Sequence, residues 1–495
     1  MRGTIAASHL SLPGPLDPMD APMLLEELPG LGLAFDADAM RGRLQNALLA
    51  RSAGGFTIDR CIRSQAMYDP PRACTVRYEL RLSGPAAAAA THLAAVRVFP
   101  TIRAAERHLT ERVLPLAARM SGRPEIAPLA EPAAVLRDLP AVAAVFPIYP
   151  ELPTLLDATD GQLMARILTD TLPASAAGPL DVRRCCVDRG HYGRRHRCVL
   201  RYELEGHRRG RDGEERRVVY RKVAAGDSGP LALRAVAALR NLTSGAGQRF
   251  AIPDAFHFSP RLRLLLLDEL PGRPPVGRLL KLRVGDEAPE EPGALTLEQA
   301  IEACAGIAER LHGSGIPLGA PRTAGRDIAE LRAAAQALRP IAPELAAWLG
   351  TSLATAEERL RRSPVLGHGF SHGDFTFTQL LADGRDVGVV DFDTICQAEP
   401  ALDLGQFTAH LRVACRKVER AASVAPTELG ERLCARFMDV YLDGAGSDSE
   451  AAQALRTRAD AYELVSLVRL AVHSWQKFKV DRLRDVATIL GERLA

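Results

Sequence analysis

The sequence predicts an α+β chain whose first half is two copies of one strand-rich unit and whose second half is helical. Three observations predict it. Stretches of alternating polar and apolar residues crowd the first half. The second block of such stretches repeats the first at a constant offset of 124 residues. Beyond about residue 275 the apolar residues recur at intervals of three and four, the spacing of amphipathic helices.

The offset holds at polar and apolar positions alike. Glu27-Leu28-Pro29 returns as Glu151-Leu152-Pro153, and Met40, Leu44 and Leu48 return as Met164, Leu168 and Leu172. Arg60-Cys61 returns as Arg184-Cys185, Cys74 as Cys198, and Arg77-Tyr78-Glu79-Leu80 as Arg201-Tyr202-Glu203-Leu204. Each unit opens with a helix. Two strands follow, LDVRRCCVDRG and HRCVLRYELEG in the second unit, then a charged turn, HRRGRDGEERR, and a third strand, RVVYRKV. The turn reads as a solvated hairpin tip. The helix ALRAVAALRNL and two closing strands in FHFSPRLRLLLLDELPGRP complete the unit. The first unit runs in parallel, from FTIDRCIRSQ to AAVLRDLPAVAAVFPIYP. We divide the chain into a tail (1–22), a first unit (23–147), a second unit (148–275) and a helical region (276–495). In that region LTLEQAIEACAGIAERLHGSG and DIAELRAAAQALRPIAPELAAWLGTSLATAEERLRR read as long helices, with Thr296 and Gln299 at capping-box spacing.

Composition narrows the function classes. The chain has 495 residues, enough for two to four domains, and a formal net charge of +3. That charge and the scarcity of Trp and Tyr argue against nucleic acid or an acidic membrane surface as partner. No apolar run reaches membrane-spanning length and the first twenty residues hold no signal-like apolar core, so a cytoplasmic location is expected. Nine scattered cysteines lack zinc-ligand spacing and read as reduced, mostly buried thiols. The chain has 58 arginines and five lysines, and Lys222 is the first lysine. A compact ammonium in an arginine background hints at a site that a guanidinium would not fit.

The chemistry is concentrated in GHGFSHGDFTFTQLLADGRDVGVVDFDTICQAEPALDLG, residues 367–405. His372-Gly373-Asp374 is followed five residues on by Gln379, then by a turn at Asp383-Gly384 and a strand leading into Asp391-Phe392-Asp393. Phosphoryl transfer asks for positioning of a hydroxyl and neutralisation of phosphate charge. A loop carboxylate to take the hydroxyl proton, an amide oxygen and a strand-end carboxylate for Mg²⁺ meet that need, since Mg²⁺ takes oxygen ligands and keeps several waters.

These motifs resemble the catalytic core of the aminoglycoside phosphotransferase and choline kinase-like family, which reads roughly HGDxxxxN, then an apolar strand into IDW or IDF, then DPxxDLA. The resemblance spans about residues 160–495 and is specific in 370–405. It implies a two-lobed protein-kinase-like fold with a degenerate extra small lobe in front, since five strands with a helix after the third is the small-lobe layout of kinases. It implies ATP or GTP with Mg²⁺ as cofactors and a small molecule bearing a hydroxyl as acceptor. Asp374 would be the catalytic base, Gln379 and Asp391 metal ligands, and Lys222 the phosphate-binding lysine. Asp268, Glu269 and Leu270 would form the hinge beside the adenine, and Asp403 would brace the catalytic loop. His372 reads as a loop-bracing side chain and His312 as a helix-end residue. Asp393 and Glu399 are expected to line the acceptor site.

Three features depart from the family pattern. The amide is Gln379 instead of Asn. The helix after Lys222 has no acidic residue to pair with it, with Asp227 ahead of it as a cap. No dense glycine loop covers the phosphates, only Gly190 and Gly193. The first unit departs further: it has no lysine, and Arg97 or Val98 stands at the place of Lys222. It should not bind nucleotide productively, and its uncovered apolar face is expected to pack on the second unit, or else on a partner subunit of a homodimer. The competing reading is a catalytically inactive pseudokinase of the same fold that binds nucleotide, or nothing, and acts as a scaffold.

Overall fold

The computed structural model describes residues 16–494 except 50–54, 71, 85–89, 124–125, 127–128, 173–178, 195–196, 209–212, 225, 227, 244–249, 286–292 and 426–427. Asp227 and the tip of the charged turn lie outside the described residues.

Helix α1 (Ala37–Leu44) precedes strands β1 (Thr57–Asp69), β2 (Ala73–Ser83) and β3 (Ala90–Val98). Helix α2 (Ile102–His108) and strands β4 (Ala133–Leu136) and β5 (Ala141–Val145) follow. The next stretch has the same order: α3 (Gly161–Thr171), β6 (Leu180–Arg194), β7 (Arg197–Arg208), β8 (Glu214–Ala224), α4 (Ser228–Thr243), β9 (Ala255–Ser259) and β10 (Leu264–Asp268). The two antiparallel sheets are ordered β1-β2-β3-β5-β4 and β6-β7-β8-β10-β9.

The two units agree in register and local chemistry. Cys61 pairs with Leu80 and Cys185 with Leu204. A register shift falls at Ile58/Arg60 and again at Val182/Arg184. Asp36 caps α1 and Asp160 caps α3, in each case accepting backbone N–H groups of the first turn. The buried Tyr78 and Tyr202 hydroxyls donate to the carbonyls of Ala34 and Ala158. The strands form because their apolar residues alternate: Cys198, Leu200, Tyr202 and Leu204 all point at Met164 and Leu168 of α3 and are fully buried. The third strand settles the alignment left open by the sequence. Arg97 pairs with Thr75 and Lys222 with Val199, so Arg97, not Val98, stands where Lys222 stands.

The remainder is helical: α5 (Val276–Val284), α6 (Leu297–His312), α7 (Ala324–Leu338), α8 (Pro343–Arg362), α9 (Ala401–Ala421), α10 (Leu429–Gly444), α11 (Ser449–Gln476) and α12 (Val480–Leu494). The capping box at Thr296 and Gln299 is formed. The stretch from Asp327 to Arg362 is two helices, because Pro340 lacks an N–H and Pro343 takes the first position of the next helix. Short strands β11 (Ala320–Pro321), β12 (Gly369–Ser371), β13 (Leu380–Asp383), β14 (Asp386–Val389) and β15 (Cys396–Ala398) carry the catalytic segment. β11 and β12 flank β15, and β13 and β14 form the hairpin turning at Asp383-Gly384.

The first unit does not pack where its sequence led us to expect. Its core is continuous with that of the helical lobe, whereas the inner face of the second sheet forms a separate cluster. Tyr68 at the end of β1 meets the fully buried Trp475 edge-on with ring centroids 5.9 Å apart. Phe35 packs on Phe478 at 4.7 Å. Contacts toward the second unit are mixed: Leu156 joins the first unit's core and Phe146 packs against the second unit's cluster, while Arg119 pairs with Asp157 at 2.7 Å and Arg123 donates to the Leu156 carbonyl at 2.8 Å.

None of the nine cysteines is in a disulfide, and seven are buried. Among the described residues no helix is long and apolar enough to cross a membrane.

Candidate active site

His372-Gly373-Asp374 leaves β12 as a tight loop held at nearly every backbone polar atom. Gly373 has φ 77°, and a Cβ there would lie 2.1 Å from the Thr394 carbonyl oxygen, so only glycine fits. Asp403, in the first turn of α9, accepts the N–H of His372 at 2.7 Å and of Gly373 at 2.8 Å. It also faces His312 Nε2 at 3.1 Å, and His312 Nδ1 meets the Tyr441 hydroxyl at 2.9 Å. The Thr394 hydroxyl donates to the His372 carbonyl at 3.0 Å, and His372 Nε2 lies 3.1 Å from the Val390 carbonyl. Asp403 and His372 therefore brace the loop, and His312 ends α6 as a partner of Asp403.

Asp403 is fully buried, which by itself would raise its pKa, but hydrogen bonding and charge from His312 hold it below the ordinary carboxylate value. A carboxylate with a depressed folded pKa contributes stability above its unfolded value, about 3.9, and loses that contribution as the pH falls. Asp403→Asn replaces an acceptor with an amino group facing donors. We expect it to cost about 1–3 kcal/mol at pH 7, read as a lower Tm, with the difference from wild type narrowing below about pH 4. Equal Tm values at pH 7 would refute the bracing role.

Asp374 is half-buried, and its Oδ1 accepts from Gln406 Nε2 at 2.6 Å. Gln406 sits three residues after Asp403 on the same face of α9, so one helical turn holds both the loop backbone and the carboxylate.

Opposite the loop, Lys222 on β8 reaches from the second sheet to the helical lobe. Its Nζ lies 2.5 Å from Asp391 Oδ1 and 3.2 Å from Asp393 Oδ1. Arg197 on β7 stands 3.4 Å from Asp393 and 3.8 Å from Asp391. Asp391 itself adopts a left-handed backbone conformation, φ 76°, uncommon for a residue with a side chain and characteristic of functional turns. Burial would raise its pKa, but the Lys222 ammonium more than offsets this and holds it at about 2. The missing helix glutamate is thus explained: α4 has no acidic residue, and two carboxylates of the helical lobe pair with Lys222 in its stead.

Two residues are placed otherwise than their sequence suggested. Asp393 faces Lys222 and Arg197, and Glu399 is buried in a bidentate pair with Arg458, with bonds of 2.7 Å. Charge complementarity from distant segments, invisible in a local motif, decided both positions.

Gln379 is buried, and its Oε1 accepts from the backbone N–H of Thr376 at 3.1 Å and from the Thr376 and Thr378 hydroxyls. Asp391 and Asp393, by contrast, converge on one cationic centre, the Lys222 ammonium. Two carboxylates converging on one cation form an all-oxygen donor set suited to Mg²⁺. Gln379 would join them only after turning from its threonines.

Asp268 ends β10 with its carboxylate clamped by Arg217 at 2.6 and 2.8 Å. The Tyr220 hydroxyl approaches Glu269 at 3.5 Å, and Leu270 lies over Gly388, where a Cβ would come within 2.7 Å of it. The Asp268 and Glu269 carboxylates are thus turned to the sheet. Gly190 and Gly193 lie within β6.

Arg197 and Gln406 also belong to this site, and neither carried a sequence signal. The second carboxylate of VVDFD was the one available hint for Asp393.

Sheet, helical lobe and loop together have the two-lobed organisation of a kinase-like phosphotransferase. The sequence profile of the phosphotransferase enzyme family (APH) matches residues 207–455, half of the chain, and the chain belongs to that family. No curated protein matches the chain. Among solved structures it is similar to choline kinase from Cryptosporidium parvum Iowa II, at 12% identity and TM-score 0.43, over 67% of this chain and 94% of that one. It is also similar to an aminoglycoside-3'-phosphotransferase of type VIII (21% identity, TM-score 0.36, 56% and 93% covered). A spectinomycin phosphotransferase in complex with ADP and spectinomycin matches at 10% identity and TM-score 0.40, over 68% and 99%.

Proposed function

We propose that the chain transfers the γ-phosphate of ATP or GTP to a hydroxyl of a small molecule: a sugar, an aminoglycoside, an amino alcohol or another metabolite. The observation that carries this reading is the meeting of Lys222 with Asp391 at 2.5 Å beside the loop that presents Asp374. In the reaction the acceptor oxygen attacks the γ-phosphorus, its proton passes to Asp374, and the bond to the β-phosphate oxygen breaks, leaving the nucleoside diphosphate. Gln406 orients Asp374. Lys222 and Arg197 take phosphate oxygens, and the backbone at Glu269 and Leu270 receives the base. Asp391 and Asp393 would hold Mg²⁺, with Gln379 as an additional ligand. When bound, Mg²⁺ neutralises charge on the phosphate oxygens. The second unit serves as the nucleotide-binding lobe and the helical region as the catalytic lobe. The first unit is silent in this reading: Arg97 stands in place of Lys222 and pairs with Asp69 at 3.0 Å and with Glu151 of the second unit at 3.6 Å, away from the segment that carries Asp391.

A thermal-shift series with ATP and GTP, each with and without Mg²⁺, tests the reading, since a ligand of the folded state raises Tm by mass action. Wild type should respond to one Mg-nucleotide. Asp391→Ala should abolish the Mg²⁺-dependent part of that response. Equal MgATP affinity of mutant and wild type by calorimetry would refute the metal role, and no response of wild type to either nucleotide would favour the inactive scaffold.

A further inference from the structure

Gly373 is the pliable point of the catalytic loop. It has no side chain to fix it, and its carbonyl belongs to the peptide unit that leads into Asp374. The orientation of that unit decides where the Asp374 carboxylate points. Asp403 fixes the N–H side of Gly373. The carbonyl side is fixed from elsewhere: Arg322 Nη1 donates to the Gly373 oxygen at 2.7 Å.

Arg322 is itself built into place. Its backbone N–H donates to the Gln397 carbonyl at 2.9 Å, extending the β11–β15 pairing by one residue. Its guanidinium grips Asp327, in the first turn of α7, through Nε at 3.0 Å and Nη2 at 2.9 Å. Asp327 is 2% exposed, and Arg469 of α11 holds it a third time at 3.0 Å. Burial would raise the Asp327 pKa, yet the guanidinium beside it keeps it below the ordinary value, so the fork stays ionic on both sides. With Nε and Nη2 committed to the carboxylate, the planar group aims Nη1 at the loop. A lysine ammonium has no such fork.

We propose that Arg322, held by Asp327 and Arg469, is a positioning residue that sets the direction of Asp374 by fixing the Gly373–Asp374 peptide. The proposal rests on the phosphotransfer reading above. Arg322 touches neither reacting atom, so its loss should show in turnover and not in nucleotide affinity.

The test uses the full-length chain with MgATP, measuring nucleotide consumption against a panel of sugars, amino alcohols and aminoglycosides, and MgATP affinity by calorimetry. Arg322→Ala is expected to lower kcat about 10²-fold, as a catalytic group displaced by about an ångström would. KM for MgATP and its Kd should stay within about twofold. Added methylguanidinium should restore part of the turnover of Arg322→Ala and none of that of Arg322→Lys, a pattern that a merely structural loss would not give. If the alanine variant fails to fold, Arg322→Lys carries the test, with kcat down at least about tenfold and Kd unchanged. Turnover of the folded variant within about threefold of wild type would overturn the inference while leaving phosphotransfer standing. A wild-type chain that binds MgATP but consumes none, or binds none, overturns the phosphotransfer reading and the positioning role with it.

Discussion

Asp374→Asn is expected to lower turnover about 10²–10⁴-fold, the contribution of a positioned general base, while leaving MgATP affinity near that of wild type. The substitution is nearly isosteric. An asparagine oxygen can still accept from Gln406 Nε2, which lies 2.6 Å from the Asp374 oxygen, so the loop need not move. What is lost is the ability to take a proton. Lys222, Asp391 and Asp393 keep their mutual contacts, so the ion-pair cluster beside the loop is untouched. Single-turnover kinetics with MgATP and calorimetry on the same preparation check both halves. Near-normal turnover would remove Asp374 from the mechanism.

Deleting residues 1–145 should yield insoluble or inactive protein, although every residue placed at the active site remains. The deletion strips Tyr68 from Trp475 and Phe35 from Phe478 and opens a core shared with the helical lobe. Trp475 is fully buried in the intact chain, and uncovering it leaves a large apolar patch on α11. Arg469, six residues before it, steadies Asp327 and so the loop. Gel filtration and MgATP turnover of the truncated chain decide the matter. A soluble, monomeric, fully active product would make the first unit a dispensable appendage.

The strands, the hairpin at Asp383-Gly384 and the capping box at Thr296 were legible because each is written in neighbouring residues. The common strand order of the two units was legible because the offset of the sequence pattern recurs at polar and apolar positions alike. The loop that carries Asp374 and the strand that ends at Asp391 were legible because a Gly-containing turn and an apolar run mark them in neighbouring residues. Arg322, Gln406 and Asp327 were not, since a side chain that reaches across 51 residues to Gly373 has no periodicity to betray it. One arginine among 58 carries no mark of its task. The partners of Lys222 could be framed only as a missing glutamate. The orientation of Gln379, settled by two threonine hydroxyls and a backbone N–H, is a matter of local competition that no motif encodes.

The continuity of one core and the separateness of another carry a consequence for how the molecule opens. Cooperative units follow contiguous packing, not sequence kinship. The first unit shares its apolar interior with the helical lobe, so those two regions are expected to exchange their amide hydrogens together, at the cost of global unfolding. The second sheet and α3 enclose an interior of their own. They are expected to form a smaller foldon that opens at lower free energy. The two units would then belong to different foldons, and the one that bears Lys222 would open first.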